Sequence, residues 1–485
     1  MQEVSIKSNP KSVQLALCLA VFLVPYMGSS LNLALPRIVD DFSMPAFSLT
    51  FVVSLYLVAT AMFQMPAARL ADLIGKRRVF LMGLGIFGLF CLLGGMAWSG
   101  TALIVSRFFC GVGSALAYAT NMAILTSVFP KEKRGQALGI NTAVVYFAVA
   151  TGPFLGGQLA HYFGWRSIFF SSAALTALAI GAALYSIKDE WVDAKGESFD
   201  YGGGTTYILA IAAIVMGFSH LPLPTGWALL AAGLAGAAFF VRLERRTAYP
   251  LLQTDVFFHN RHFRLASLSA MINYSASFAI GFILSLYLQY VVGMSANHAG
   301  FVLIAQPVVQ SILSPVGGWL SDRVNPSILT TTGMGCISVG LFLLSRLTPD
   351  TPIMHVVYIL ILVGIGFALF SSPNVNIIMG SVSRRLSGLA SATTGTARQL
   401  GQSLSIAMTS LIIHHFMGNG ELSRANAHLF LPAMQWGFLL FGGICLVGMY
   451  TSASKLFGED RNKEWRHVSG RFPPPDGSDD TGTEL

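Results

Sequence analysis

The chain has 485 residues; 54% are hydrophobic, 11% are charged, and 49 are glycine. Soluble domains carry about 25% charged residues, so this composition excludes an ordinary soluble enzyme and a disordered chain, and a mean hydropathy of +0.63 agrees. The net charge of +8 does not argue for a nucleic-acid partner: in a membrane chain, surplus Lys and Arg mark loops that face anionic lipid.

A membrane-spanning helix takes about 20 apolar residues. Stretches free of Asp, Glu, Lys and Arg cover 12–36, 42–68, 79–106, 108–130, 135–165 and 167–187, which predicts six spans within 13–187 after a short N-terminal tail, 1–12. The first stretch is a span and not a signal peptide. It is too long and runs on through "LNLALPRIVDDF" without a small-residue cleavage pattern. Next comes "KDEWVDAKGESFD", then a double-length stretch, 201–241, broken by the Pro/Gly turn in "HLPLPTGW". It predicts two spans, at about 203–220 and 224–241, inside a linker of 188–262 that ends in the charged, amphipathic "RLERRTAYPLLQTDVFFHNRHFR". The stretch 265–321 is also double and breaks near "GMSANHAG". With 324–345, 351–383, the pair 386–397 and 399–420 joined through Arg398, and 425–454, it predicts six more spans within 263–452. The tail 453–485, with "RFPPPDGSDDTGTEL", is expected to be disordered. The expected plan is fourteen helices, arranged six, two, six.

Of the 30 Lys and Arg, 24 fall on the side of the N-terminus, four on the other side (Arg37, Arg166, Arg346, Arg424), and two, Arg107 and Arg398, inside apolar stretches. This bias puts both termini in the cytoplasm and predicts a multi-pass protein of the cell membrane, with the lipid bilayer as its surroundings.

Four features carry chemistry. The loop "ARLADLIGKRR" after the second span has a counterpart, "GGWLSDRV", at the equivalent place in the second set of six, with Asp72 and Asp322 exactly 250 residues apart. Two parallel halves suit an alternating-access transporter. Asp72 can meet a helix N-terminus or an Arg in a breakable contact, and Gly75 permits a tight turn. The loop also has a plainer role as a basic topology signal. In "ATGPFLGGQ", Pro153 removes a backbone donor, while Gly152 and Gly156 share one face and allow close helix contact. A kinked, smooth helix suits a moving interface between halves. Ordinary helix packing is the alternative. Arg107, in "LIVSRFFCGVGSA", is costly in a bilayer and calls for a cavity and a partner; carbonyls and water could also satisfy it. Arg398, in "ATTGTARQLGQSL", is similar but nearer the cytoplasmic end. Five scattered Cys (Cys18, Cys91, Cys110, Cys336, Cys445) sit in apolar runs, with neither a disulfide framework nor metal-ligand spacing; they are expected to pack as small hydrophobes. No nucleophile–base pair or phosphate loop supports an enzyme, and no cofactor is expected.

"ARLADLIGKRR" resembles the loop 2–3 signature of the major facilitator superfamily, with Ala68 for the usual first Gly. "LIVSRFFCGVG" resembles its helix 4 signature, with Cys110 where Gln is frequent, and "AVATGPFLGG" the helix 5 signature of its antiporter branch, with Ala148 for the first Gly. "LNLALP" and "TARQLGQSL" look like the fourteen-helix drug:proton antiporter family. The resemblance covers about 13–452. It implies an all-α membrane fold of two six-helix bundles plus two linker helices. It also implies a cytoplasmic latch at Asp72, Gly75 and Arg77, with Asp322 and Arg323 as its repeat counterpart, and a hinge at Gly152, Pro153, Gly156 and Gly157. Arg107 would serve proton coupling or substrate contact. Relatives with the helix 1 signature usually carry Asp five residues before its Asn; here that residue is Met27, before Asn32. No acid lies deep in an apolar stretch. Those near membrane edges are Asp40, Asp41, Asp72, Asp200 and Asp322.

The expected function is proton-coupled export of a small amphipathic or hydrophobic compound by a monomer. Candidate lining residues are Asn32, Phe63, Gln64, Asn121, Asn141, Tyr146, Asn273, Tyr274, Gln306, Gln310, Asn374, Asn376 and Gln399, beside Arg107 and Arg398; each could instead bond helix to helix. The alternatives are an organic-anion transporter or exchanger that uses the two Arg, and a non-transporting sensor on a transporter scaffold. Missing acids disfavour a permanently cationic substrate.

Overall fold

A computed structural model describes residues 8–42, 46–418 and 427–454. Their regular structure is helical: α1 (Pro10–Phe42), α2 (Ala46–Ile74), α3 (Lys76–Gly95), α4 (Gly100–Val128), α5 (Arg134–Phe163), α6 (Arg166–Ser186), α7 (Tyr201–Ser219), α8 (Pro224–Glu244), the short α9 (Thr254–His259), α10 (Arg261–Leu286), α11 (Ala296–Leu303), α12 (Ala305–Ser321), α13 (Pro326–Leu344), α14 (Ile353–Gly380), α15 (Ser387–Met417) and α16 (Ala427–Ala453). Thirteen spans among the described residues are long and apolar enough to cross a membrane, α11 and α12 together making one of them. Helix α15 is long enough, but its Ser, Thr and Gln make it less apolar.

The expected breaks appear where turn chemistry demands them. Pro224 opens α8 at its first turn, where a missing N–H costs nothing, and Ser295 caps α11. Helix α1 runs further than its charge-free stretch, through Asp40 and Asp41 to Phe42. The tail expected to be disordered lies, from residue 455 to 485, outside the described residues.

Packing repeats. Helix α1 packs on α5 and α6, α3 on α4 and α6, and α2 on α4. Correspondingly, α10 packs on α15 and α16, α13 on α14 and α16, and α12 on α14. Contacts between the halves are reciprocal: α5 with α12 mirrors α15 with α2, and α5 with α14 mirrors α15 with α4. Helices α7 and α8 pair with each other, and α7 lies against both α2 and α15. One apolar core takes in the first half and continues into Val375, Ile378, Leu389 and Ala390 of the second; a second, from Ala276 to Cys445, belongs to the second half alone, and a small third joins Ile214, Leu221 and Leu230 to Ala407. The halves therefore share their core at the end that carries the basic loops.

Candidate functional site

At that basic end, each half ends a helix in an acid that faces a helix N-terminus of the other half. Asp322 follows α12 and accepts the first amides of α5: Gly135 N–H at 2.7 Å and Gln136 N–H at 2.9 Å. A carboxylate there meets orphan donors and the positive end of the helix. Burial pushes the Asp322 carboxyl above its ordinary value, against the pull of those two amides. The crossing is close because Gly135, Gly139 and Gly318 carry no side chains. A Cβ on Gly139 would lie 2.6 Å from the Ser314 carbonyl oxygen, and one on Gly135 would lie 2.5 Å from that of Gly318. Ser372 Oγ donates to the Gly135 carbonyl at 3.2 Å, and Ser311 Oγ to that of Ala143 at 2.9 Å.

The counterpart is built differently. Asp72, near the end of α2, is buried, and a Cβ on Gly388, at the start of α15, would lie 2.7 Å from its Oδ1. That oxygen has no hydrogen-bond partner among the described residues. Lys76, 1% exposed, bridges the halves instead: its Nζ donates to Ser387 Oγ at 2.7 Å and pairs with Asp193. Glu197 holds Arg69 at 2.7 Å and also Arg385 across the seam. The acidic segment after α6 is thus an ionic strap. Gly75 sits at φ +116°, a region that only glycine enters freely, and the next peptide nitrogen bonds the Trp191 carbonyl at 3.0 Å.

The expected Arg77 donates its backbone N–H to Glu190 at 2.8 Å and does not span the halves; Lys76 occupies that place. Arg323 stacks on Trp319 of its own half, 3.9 Å from the ring centre. The Gly152–Gly156 face meets α1 of the same half: Ser30 Oγ donates to the Gly152 carbonyl at 2.8 Å, and a Cβ on Gly156 would lie 2.7 Å from Ser30 Cα. Pro153 and Gly157 are half-buried beside it. The contact of α5 with the other half lies one stretch earlier, at Gly135 and Gly139. Those residues have the same four-residue spacing in the sequence as Gly152 and Gly156.

Between the halves lies a polar, aromatic lining. Arg398 stacks over Tyr118 at 4.4 Å and neighbours Tyr274 and Tyr56. Protein surrounds it, yet part of its surface stays accessible. Tyr146 faces Ser371 and Gln310. Gln64 is fully buried against Gly395 of α15, with both amide atoms unpartnered among the described residues, and Gln310 Oε1 is likewise unpartnered. Gln399 is buried on the same helix as Arg398. Other candidates bond helix to helix: Asn121 to the Leu17 carbonyl at 3.1 Å, Asn374 to that of Ala266 at 3.0 Å. The side chains of Asn32 and Asp40 lie outside the described residues.

Arg107 is walled in, 2% exposed, and shares Tyr56 with that lining. Its Nε donates to the Val52 carbonyl at 2.9 Å, its guanidinium stacks 4.3 Å above the Tyr56 ring, and Nη1 lies 3.4 Å from Met27 Sδ. Met27, the residue in the expected Asp's place, is therefore in direct contact with the Arg. At the opposite end from the latches, Asp41 accepts from Trp165 Nε1 at 2.8 Å and Arg166 at 2.7 Å, and these two hold its carboxyl below its ordinary value. Asp200 caps α7 through Gly203 N–H at 2.9 Å and faces Glu244, a buried acid missed among the arginines of "VRLERR".

Two helical bundles related by a repeat, in reciprocal contact at one end and lined with polar groups between, are built as a multi-pass membrane transporter is. The chain belongs to the Major Facilitator Superfamily, whose sequence profile matches residues 17–243 and 266–475. Proteins of this class are transporters, not enzymes. It is similar to the riboflavin transporter RibZ of Clostridioides difficile (strain 630), 26% identical over 90% of this chain and 95% of that one. It is also similar to the cephamycin export protein CmcT of Amycolatopsis lactamdurans, 30% identical over 81% of this chain and 82% of that one. In fold it resembles the crystal structure of the human organic anion transporter MFSD10, at a TM-score of 0.66 and 13% identity, over 92% of this chain and all of the other.

Proposed function

We propose that the protein exports small amphipathic, largely aromatic compounds of neutral or negative charge, by alternating access driven by a proton gradient. The observation that carries this reading is the inter-half lining. It offers one accessible cation, Arg398, four tyrosines, and the buried amides Gln64 and Gln310 with unpartnered atoms. An unpartnered buried amide costs about 1–3 kcal/mol, and a bound polar ring system would lower that cost. Riboflavin, for which the similar transporter RibZ is named, is an aromatic ring system with polar edges and fits the same chemistry. The reading includes a place in the cell membrane with both termini cytoplasmic, an orientation that the distribution of Lys and Arg supports.

A second reading, exchange of an organic anion, rests on Arg398 alone, since Arg107 is already engaged. Inverted vesicles holding the protein separate the two. With an imposed pH gradient, neutral and anionic aromatic compounds should accumulate and quaternary ammonium compounds should not; a protonophore should abolish uptake. Efficient transport of a permanent cation would overturn the charge preference. Uptake that ignores the pH gradient but needs an anion on the opposite side would favour exchange. Arg398→Ala should reduce uptake of anionic compounds at least tenfold.

A further inference from the structure

Three sulfur atoms meet beside Arg107. Cys91 Sγ on α3 lies 3.6 Å from Met27 Sδ on α1 and 3.9 Å from Cys110 Sγ on α4. All three residues are buried, at 1% exposure or less. Three sulfurs arranged around one ion at about 2.3 Å stand about 4 Å from one another, close to both separations at Cys91. Thiolate and thioether are the donors that select soft monovalent copper and its analogues over harder ions. Spacing along the chain gives no hint of the group, because each sulfur comes from a different helix.

Charge points the same way. Arg107 touches a carbonyl, a thioether and an aromatic face, and no carboxylate among the described residues bonds it. A buried cation without an anion is costly. Binding one monovalent ion at two thiols releases two protons to solvent and leaves a bis-thiolate complex of net charge −1. That single negative charge, formed beside the guanidinium, makes the buried group neutral overall.

We propose that Met27, Cys91 and Cys110 form a site for one soft monovalent metal ion, with Arg107 as its counter-charge. The inference does not depend on the exported compound. The test uses the purified full-length protein in detergent, reduced and free of oxygen, titrated with Ag(I) alone. Bound metal is counted after passage over a weak thioether competitor, and released protons are followed in dilute buffer. One ion per chain should be retained, with two protons released. Cys91→Ser and Cys110→Ser should each weaken retention at least a hundredfold. Met27→Leu, which keeps side-chain volume and so guards against misfolding, should weaken it about tenfold, and Cys18→Ser should leave it unchanged. Retention that survives in the Cys91→Ser, Cys110→Ser double variant would overturn the site, as would binding without proton release or equal loss in the Cys18→Ser control.

Discussion

The two latches occupy equivalent positions in the repeat and solve the same problem with different chemistry. Asp322 engages the other half directly, through two backbone amides at the start of α5. Asp72 faces α15 but leaves an oxygen unpartnered, and Lys76, Asp193, Glu197 and Arg385 carry the contact in its place. One is a short helix-cap contact over a glycine crossing; the other is a strap of ion pairs lent by the segment after α6. The comparison teaches that duplicated sequence motifs preserve position more faithfully than mechanism. It also makes the first latch sensitive to shape and the second to salt, since partly exposed pairs are screened.

Filling the crossing should break the comparison most completely. Gly139→Leu forces a side chain onto the Ser314 backbone, and overpacking of this kind costs about 1–3 kcal/mol or more. Spin labels at Lys131 and Val324 should report the basic end held apart, with transport reduced at least tenfold. An unchanged distance would mean that α5 and α12 tolerate separation. Next, Asp322→Ala removes two acceptors from α5. At about 0.5–1.5 kcal/mol per bond, the population joined at that end should fall roughly tenfold. Asp72→Ala, which loses no direct amide bond among the described residues, should shift it about twofold. Equal effects would erase the distinction between the latches.

A smaller effect is expected from Glu197→Gln, which loosens both Arg69 and Arg385. Only the Arg385 pair crosses the seam, with Arg385 exposed; an exposed pair contributes about 0–1 kcal/mol, so the shift should be about twofold and should shrink in 1 M salt. The smallest effect concerns pH. Asp322 is held above its ordinary value in the joined state. Joining therefore takes up protons, and acidification from neutral pH down through the raised value should favour the joined state. Asp41 is held below its ordinary value by Trp165 and Arg166. Its contact should persist through the ordinary carboxylate range and be lost only below it. Trp165 fluorescence and the Lys131–Val324 distance, followed against pH, should change in separate windows; coincident changes would sink the assignment.

Much of the fold was legible in the sequence because bilayer thickness sets run length and turn residues mark the breaks. The repeat was legible from Asp72 and Asp322. What the sequence hid was direction. Gly135–Gly139 and Gly152–Gly156 have the same spacing on one helix, yet the first pair meets α12 and the second meets α1. Which pair faces the other half depends on where α5 crosses its neighbours, and no local pattern encodes that. Lys76, Arg77 and Arg78 are interchangeable as a basic run; the turn at Gly75 sends the first inward and leaves the third exposed. The setting of Arg107 needed Met27, Val52 and Tyr56, which lie 50 to 80 residues away.

Helix α15 carries one more consequence, for how the protein is made. It bears Ser391, Thr394, Arg398, Gln399, Ser403 and Ser405 within five turns, too polar to partition into lipid from the insertion machinery unaided. It packs on α2, α4, α7, α10 and α16, so its polar faces meet protein. Four spans of the second half precede it by the time it is synthesised, and one follows. The membrane entry of α15 must therefore await a preformed groove. Shortening or deleting α10 should strand α15 outside the bilayer, whereas the same change in α15 should leave the earlier helices inserted.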